Sequence, residues 1–258
     1  MSIKPISSSP HVGLFVTCLV DLFRPNVGFA AVKLLEAAGC QIDIPLAQTC
    51  CGQPAYNNGD LATSQTIAKQ VINNFDKFDY IVAPSGSCTG MLKRHYPQLF
   101  ENDPQWQVQA QAFAARCYEL THFLTEVCGV TSIAAHFEQR VTYHDSCSGR
   151  RELGIQRQPR QLLNGVQGLK LIEMNETEVC CGFGGTFCVK YPEISARMVS
   201  DKVSQIEATG AQVLLGGDMG CLLNIAGRLK RLNSSVKVYH VAEVLANMTT
   251  VPAIGEPV

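Results

Sequence analysis

Eight of the twelve cysteines in this 258-residue sequence fall into two sets with the same spacing. Each set has one cysteine, then about thirty residues, then an adjacent Cys-Cys-Gly, then nearly forty residues before a last cysteine. The first set is Cys18, Cys50, Cys51 and Cys88, and the second set is Cys147, Cys180, Cys181 and Cys221. Four thiolates suit either a tetrahedral zinc ion or an iron–sulfur cluster. The spacing therefore predicts one metal centre in each set.

The adjacent cysteine pair favours a cluster over a single ion. Structural zinc sites usually take cysteines separated by roughly two to four residues, so that a short loop wraps one ion. Side chains of neighbouring residues tend to diverge, which suits the wider face of a polynuclear cluster. Gly52 and Gly182 follow the pairs and remove a side chain where backbone passes close by. Structural zinc, a strained vicinal disulfide and merely buried thiols remain as alternatives.

The two sets belong to an internal repeat. Cys18, Cys50 and Cys88 recur as Cys147, Cys180 and Cys221, which lie 129, 130 and 133 residues later. A softer match relates residues 118–124 to residues 239–245. We therefore predict a duplicated chain, with a first repeat at residues 1–130 and a second repeat at residues 131–258.

Both repeats alternate strand and helix patterns. A near-continuous apolar run, typical of a strand covered on both faces, lies at residues 12–17. Further strands are predicted at residues 40–44, 80–83, 141–144, 171–173, 213–215 and 236–239. Asp60 is a predicted cap for a helix with Leu61, Ala68, Val71, Ile72 and Phe75 on its buried face, and Pro192 begins a helix with Ile194, Met198 and Ile206 on its buried face. The alternation predicts an α/β fold of two Rossmann-like parallel-sheet repeats. Loops at the carboxyl ends of parallel strands hold ligands in such folds, so each set should gather at one sheet edge.

Composition excludes several functional classes. The formal net charge is −1 and the sequence has no basic stripe, so nucleic acid is not an expected partner. No apolar run is long enough to predict an integral membrane segment. No Gly-x-Gly-x-x-Gly follows a strand, so neither NAD nor FAD is expected. Many cysteines without a secretory pattern predict a cytoplasmic location, where thiols stay reduced.

Longer stretches around the cysteines resemble the CCG cysteine-rich repeat family. They are residues 15–21, 50–56, 84–88, 180–187 and 220–228. This family includes the catalytic subunit of heterodisulfide reductase and the iron–sulfur subunits of glycolate and anaerobic glycerol-3-phosphate dehydrogenases. The stretches are most similar to its lactate-utilization members.

The resemblance implies both a cofactor and a system. It implies one [4Fe–4S] cluster per repeat, cubane or non-cubane, on the eight cysteines of the two sets. It also implies an oxidoreductase subunit of a system that oxidises L-lactate to pyruvate, beside a ferredoxin-like iron–sulfur protein and a third subunit. The alternatives are a zinc-stabilised assembly module of a redox complex and a thiol–disulfide reductase subunit of the heterodisulfide type.

The sequence departs from the family pattern at the end of each repeat. Family repeats often end in Cys-x-x-Cys, and here Ser85 and Asp218 occupy the first of those positions. The departure argues against a five-thiolate cluster that cleaves heterodisulfides. Asp218 is expected either to supply an oxygen ligand or to hydrogen-bond the loop, and Ser85 is expected to be a turn residue.

Other residues have weaker chemical signals. His144, three residues before Cys147, could ligate metal or tune a cluster from the second shell, whereas the plainer interpretation is a strand-end histidine bonded to backbone. Cys188 has no mate in the first repeat, and is either an extra ligand or a packed or reactive thiol. The cysteines expected to serve core packing are Cys40, Cys117 and Cys128.

Overall fold

Two four-stranded parallel sheets form the framework of the protein. The computed structural model describes residues 9–257. The first sheet contains β1 (His11–Leu14), β2 (Gln41–Asp43), β3 (Tyr80–Ala83) and β4 (Cys117–Glu119), in the order β2-β1-β3-β4. The second sheet contains β5 (Arg140–His144), β6 (Lys170–Leu171), β7 (Val213–Gly216) and β8 (Lys237–His240), in the order β6-β5-β7-β8. The shared order confirms the predicted duplicated α/β fold. No strand was predicted at β4, although the match of residues 118–124 to residues 239–245 places it opposite the predicted strand at residues 236–239.

Helices connect the strands in both repeats. The first repeat contains α1 (Cys18–Phe23), α2 (Pro25–Ala37), α3 (Gln53–Asn57), α4 (Leu61–Asn74), α5 (Gly86–Gly90), α6 (Tyr96–Leu99), α7 (Pro104–Ala115) and α8 (Leu120–His122), with π-helical turns at Met91–His95 and Phe123–Val127. The second repeat contains α9 (Cys147–Arg151), α10 (Arg157–Leu163), α11 (Phe187–Lys190), α12 (Pro192–Ala208), α13 (Met219–Arg231) and α14 (Val241–Leu245). Among residues 9–257, no helix combines the length and the apolar character that a membrane crossing needs.

Local signals set several helix ends as predicted. The Asp60 carboxylate accepts a hydrogen bond from the Thr63 amide at 3.0 Å and caps α4. Pro192 occupies the first turn of α12, where its missing N–H has no intrahelical partner to lose. Two residues predicted on buried faces are wrong, because Leu61 is 54% exposed and Ile194 is 55% exposed.

The buried face of α12 differs from the predicted one. Its buried residues are Ser195, Val199, Lys202, Val203 and Ile206. These positions recur every three or four residues, so the helical period is right but the stripe is rotated by one residue from Ile194 and Met198. The rotation brings a lysine onto the buried side of the helix.

The two repeats pack against each other. The α2 helix contacts α14, where Arg24 Nε lies 2.8 Å from the buried Glu243 Oε1, and Lys33 Nζ donates to the Ala246 carbonyl at 2.8 Å. The α5 helix contacts α9 so closely that a Cβ on Gly86 would lie 2.6 Å from Ser146 Oγ. Only glycine fits there, because any side chain would clash with the other repeat. The close packing of the two repeats therefore explains the glycine at this position.

The sheet topology determines where the cysteines lie. In the first sheet β1 and β3 are neighbours, with Leu14 paired to Val82. Cys18 begins α1 directly after β1, and Cys88 lies in α5 directly after β3. The strand order reverses at this point, which is where doubly wound sheets form ligand crevices. The arrangement of β5, β7, Cys147 and Cys221 repeats the same geometry in the second sheet.

Candidate metal centres

The four thiols of the first set converge at the carboxyl edge of the first sheet. The Sγ atoms of Cys18 and Cys50 are 3.8 Å apart. The Cys51 thiol interacts with the thiols of Cys50 and Cys88. All four cysteines line one cavity of about 140 Å³. Residues that are separated by up to seventy positions in the chain therefore share a single site.

Backbone geometry holds the Cys-Cys-Gly turn of the first set. Gly52 has a φ of +82°, in the left-handed region that favours glycine, and it immediately precedes α3. The buried Tyr96 hydroxyl donates to the Cys51 carbonyl at 3.0 Å. Ser85 caps α5 by accepting a hydrogen bond from the Cys88 amide at 3.3 Å, as expected for a turn residue. These contacts fix two of the three loops that carry the thiols.

The thiols of the first set polarise one another. A hydrogen bond from Cys18, followed by one from Cys51, lowers the pKa of Cys50 to about 3. The same hydrogen bond to Cys50, together with burial, raises the pKa of Cys18. Hydrogen bonds with Cys50 and Cys88, together with burial, raise the pKa of Cys51 well above its ordinary value. The contacts among these thiols therefore favour the thiolate form at Cys50, which is the form that binds metal.

The second set forms a continuous chain of thiol contacts. Cys147 contacts Cys180, Cys180 contacts Cys181, and Cys181 contacts Cys221. The Gly182 amide donates to Cys180 Sγ at 3.4 Å, and Gly182 has a φ of +79°. Asn224 Nδ2 donates to the Cys181 carbonyl at 2.9 Å. Backbone donors that point at sulfur are a feature of cluster-binding loops.

Burial raises the pKa values of the second set. A hydrogen bond with Cys181 opposes this for Cys221, but burial and the charge of Asp218 outweigh it and raise the pKa of Cys221 to about 11. The hydrogen bond to Cys180, together with burial, raises the pKa of Cys147. Metal binding to this set must displace protons, so its affinity depends on pH.

His144 lies beside the second set. One of its ring nitrogens and the Sγ atoms of Cys181 and Cys221 all lie within 4.8 Å of one another. The residue is 1% exposed, and neither ring nitrogen has a hydrogen-bond partner within residues 9–257. Burial, reinforced by the charge of Lys202, lowers the pKa of His144 to about 3, so the ring is neutral. The interpretation as a strand-end histidine bonded to backbone is therefore wrong.

Lys202 is a functional candidate that the sequence interpretation missed. Its side chain is 0% exposed, and Nζ donates to the Glu176 carbonyl at 3.1 Å and contacts Met174 Sδ at 3.8 Å. Burial lowers the pKa of Lys202, whereas the charges of Cys181 and Asp145 oppose this shift. The available signal was a lysine on an apolar helical stripe, since a lysine is rarely fully buried without a role.

Asp218 connects the repeats over the first set. Its Oδ2 accepts hydrogen bonds from Ser85 Oγ at 3.1 Å and from the Ser87 amide at 2.8 Å. Asp218 was expected either to ligate metal through oxygen or to hydrogen-bond a loop, and the structure shows the hydrogen bond. The loop that it bonds carries Ser85 and Ser87 and belongs to the first repeat. Phe183 and Met219 of the second repeat also line the cavity of the first set. The first centre is thus completed by residues of both repeats.

The remaining cysteines lie outside both sets. All twelve cysteines, each within residues 9–257, are free thiols, so no vicinal disulfide forms at either pair in this part of the chain. Cys117 is buried in the core, and the Sγ atoms of Cys40 and Cys128 are 3.9 Å apart in a second buried region. Cys188 Sγ donates to the Gly185 carbonyl at 3.5 Å.

Known proteins share both the motif and most of the length of this chain. The cysteine-rich CCG domain matches residues 12–93 and 141–226. Lactate utilization protein A of Bacillus subtilis is 50% identical over 234 residues, covering 91% of this chain and 98% of that protein. Its namesake from Oceanobacillus iheyensis is 49% identical over 234 residues, covering 91% and 96%. The chain belongs to the lactate utilization protein A family.

Both thiol sets of this lactate utilization protein A family member lie inside the two CCG domain matches. A solved structure supports the fold independently. A hypothetical protein from Helicobacter pylori superposes with a TM-score of 0.67 over 100% of this chain and 52% of that protein, at 12% identity. At that identity the similarity shows the fold alone.

Proposed function

We propose that the chain binds one iron–sulfur cluster in each repeat and carries electrons released by lactate oxidation. The observation that carries the proposal is the convergence of four thiols in each repeat, from loops that are far apart in sequence. Oxidation of lactate to pyruvate releases two electrons and two protons. Clusters that accept one electron at a time suit a relay role beside another iron–sulfur protein.

The residues present fit such a cluster. The proposed ligands are Cys18, Cys50, Cys51 and Cys88 in the first repeat and Cys147, Cys180, Cys181 and Cys221 in the second. Thiolates are the usual ligands of [4Fe–4S] clusters, which supply one-electron chemistry when bound. The backbone donor at Gly182 and the left-handed glycine after each cysteine pair support a sulfur-rich group close to the chain.

The family relatives support the biological setting. Proteins named lactate utilization protein A match nearly the full length of the chain, and the name implies a multi-component system. We therefore propose a cytoplasmic oxidoreductase subunit that works with a ferredoxin-like iron–sulfur protein and a third subunit. The repeats proposed to hold the clusters span residues 1–130 and 131–258.

One observation favours a second candidate, a zinc-stabilised assembly module. A tetrahedral ion with metal–sulfur bonds of about 2.3 Å has sulfur–sulfur edges of about 3.8 Å. Cys18 and Cys50 show this separation. The adjacent cysteines argue against zinc, because the side chains of neighbouring residues diverge. A single small ion would have to bind both thiolates of such a pair in each repeat.

Metal analysis tests the proposal. Protein purified without oxygen should contain iron and acid-labile sulfide and absorb at roughly 400 nm. The variant Cys51→Ser with Cys181→Ser should lose both iron and colour, because each repeat lacks one ligand. The matched control Cys128→Ser, which lies outside both sets, should keep them. A colourless wild-type protein with tightly bound zinc would establish the assembly module instead.

A further inference from the structure

His144 is a buried polar side chain for which the described protein atoms provide no partner. It is 1% exposed and both ring nitrogens lack hydrogen bonds within residues 9–257. A neutral imidazole always carries one N–H, and a buried donor without an acceptor destabilises the fold by the full cost of removing it from water. An unsatisfied buried polar group in a native structure calls for an explanation, and a redox role or a bound metal centre is one of those that recur.

Two sulfurs lie close to the His144 ring. One ring nitrogen lies within 4.8 Å of the Sγ atoms of Cys181 and Cys221. The charged group that faces the ring from α12 is the Lys202 ammonium, which has no lone pair to offer. Asp145, the next residue along the chain, directs its carboxylate to Arg160, with Oδ1 at 2.8 Å from the guanidinium. The N–H of His144 is therefore left to the sulfur centre of the second set.

His144 could act on that centre as a metal ligand or as a hydrogen-bond donor to sulfur. The two roles differ in which ring atom they leave without a partner. If one nitrogen bound metal directly, the other would carry an N–H with no acceptor in the described chain. Histidines that bind metal almost always donate that second N–H to a protein group. If the histidine instead donates its N–H to sulfur, only the lone pair on its other ring nitrogen lacks a partner. An unpaired acceptor costs less than an unpaired N–H donor.

We propose that His144 donates a ring N–H hydrogen bond to the sulfur of the centre held by Cys181 and Cys221, and so gives the second centre a higher reduction potential than the first. This inference rests on the proposed cluster function. Hydrogen bonds to cluster sulfur stabilise the reduced, more negative state. At the equivalent position of the first repeat, Phe15 has no N–H to donate. His144 is a positioning residue that acts through the sulfurs.

A redox titration followed by electron paramagnetic resonance tests this role in the full-length anaerobic protein. His144→Leu should lower the equilibrium constant for reduction of one centre at least tenfold, about 59 mV for one electron, and leave the other unchanged. His144→Gln, which retains an N–H donor, should recover part of the shift. In the wild type, one centre should couple to a proton that exchanges in D₂O, and this coupling should vanish in His144→Leu.

Thr142→Val is the matched control. Thr142 lies two residues earlier on β5, on the same strand face, and its buried hydroxyl also lacks a partner in the described chain. Replacing it removes an unpaired polar atom without touching the sulfurs, so both potentials should stay at their wild-type values. A shift equal to that of His144→Leu would show a general effect of strand packing and overturn the inference.

Other outcomes also decide the question. Strong nitrogen coupling of a directly bound imidazole would overturn the donor role, as would unchanged potentials in His144→Leu while iron remains bound. If the protein holds no iron or sulfide, the proposed function itself fails. Cobalt(II) added to the protein then serves as the probe. A shift of its thiolate charge-transfer bands to lower energy in His144→Leu supports the donor role, and unshifted bands overturn it.

Discussion

The two thiol sets share a ligand plan but differ in the groups around them. Where the second set has His144 at the end of its first strand, the first set has the buried Phe15. Where α12 places Lys202 beside the second set, the corresponding turn of α4 carries the buried Val71 and Ile72. The duplication therefore kept the thiols and changed the electrostatics around them.

This difference teaches that ligand identity and ligand environment are separate properties of a centre. The four thiols decide whether metal binds, and groups outside them decide how readily the bound centre accepts an electron. The imidazole of His144 and the ammonium of Lys202 beside the second set, where the first set has apolar side chains at the equivalent positions, would make two similar clusters unequal. Electrons pass between two centres in one preferred direction only if the reduction potentials of the centres differ.

The largest expected effect comes from removing one ligand from each repeat in turn. Cys51→Ser and Cys181→Ser should each lower iron and sulfide by about half, because a structural metal site that loses a ligand loses much of its binding free energy. Metal analysis and the spectrum of the remaining centre measure this. Equal loss of all iron in both variants would contradict independent centres and indicate one shared cluster.

The second comparison concerns the ends of the fourth strands. Glu119 after β4 accepts a hydrogen bond from the His122 amide at 3.1 Å, and His240 after β8 accepts one from the Ala242 amide at 3.2 Å. Burial raises the pKa of Glu119 to about 7 and lowers the pKa of His240 to about 4. At these two equivalent helix caps, the pKa values are therefore shifted in opposite directions.

Glu119→Gln should change how stability depends on pH. The folded protein keeps a proton on Glu119 between its ordinary pKa of 4.5 and about 7, where the unfolded chain has released it. The free energy of unfolding of the wild type relative to that of Glu119→Gln should therefore fall by about 3 kcal/mol as pH rises through this window. Urea unfolding of both metal-free proteins at several pH values measures this difference, in which the contributions of His240 and of other groups common to both proteins cancel.

The control for that prediction is His240, whose contribution to stability changes with pH in the opposite direction. Its lowered pKa contributes stability that is present above 6.5 and is lost as pH falls through about 4. This acid-side loss should persist in Glu119→Gln. An identical pH profile for the wild type and the variant above pH 4.5 would contradict a protonated, buried Glu119.

The two Cys-Cys-Gly turns should differ in their tolerance of a side chain. A Cβ on Gly182 would lie 2.8 Å from the Ser195 carbonyl oxygen, whereas one on Gly52 would lie 3.3 Å from Ile67 Cγ2. Both alanine variants lose about 1–2 kcal/mol to left-handed backbone strain. Gly182→Ala should lose about 2 kcal/mol more, because backbone must move. Urea unfolding of metal-free protein measures both, and equal losses would contradict the tighter second turn.

The smallest expected effect concerns Lys202. Replacing its buried ammonium by Lys202→Met should lower the reduction potential of the second centre by about 60 mV, a tenfold change for one electron. The first centre is the internal control and should not move. Redox titration measures both centres. A shift of equal size in both would show that the change is global and not due to the charge beside Cys180 and Cys181.

The sequence by itself determined the elements that depend on neighbours in the chain. The cap at Asp60, the start of α12 at Pro192 and the paired cysteine spacing each act within a turn or follow a strand directly. Such signals are local, so they predict the strand–helix alternation and the gathering of thiols at each sheet edge. The stripe of α12 was misplaced because Ile194 and Ser195 both fit a helical period, and only packing decides between them.

Tertiary structure alone decided the surroundings of the thiols. Asp218 reaches Ser87, 131 residues away, because α5 and the start of α13 meet at the seam between the repeats. Lys202 approaches Cys181 because it lies on the buried stripe of α12. Hydrogen bonds and charges act over a few ångströms, whatever the distance along the chain. A sequence that names the ligands does not state which buried charges will stand beside them.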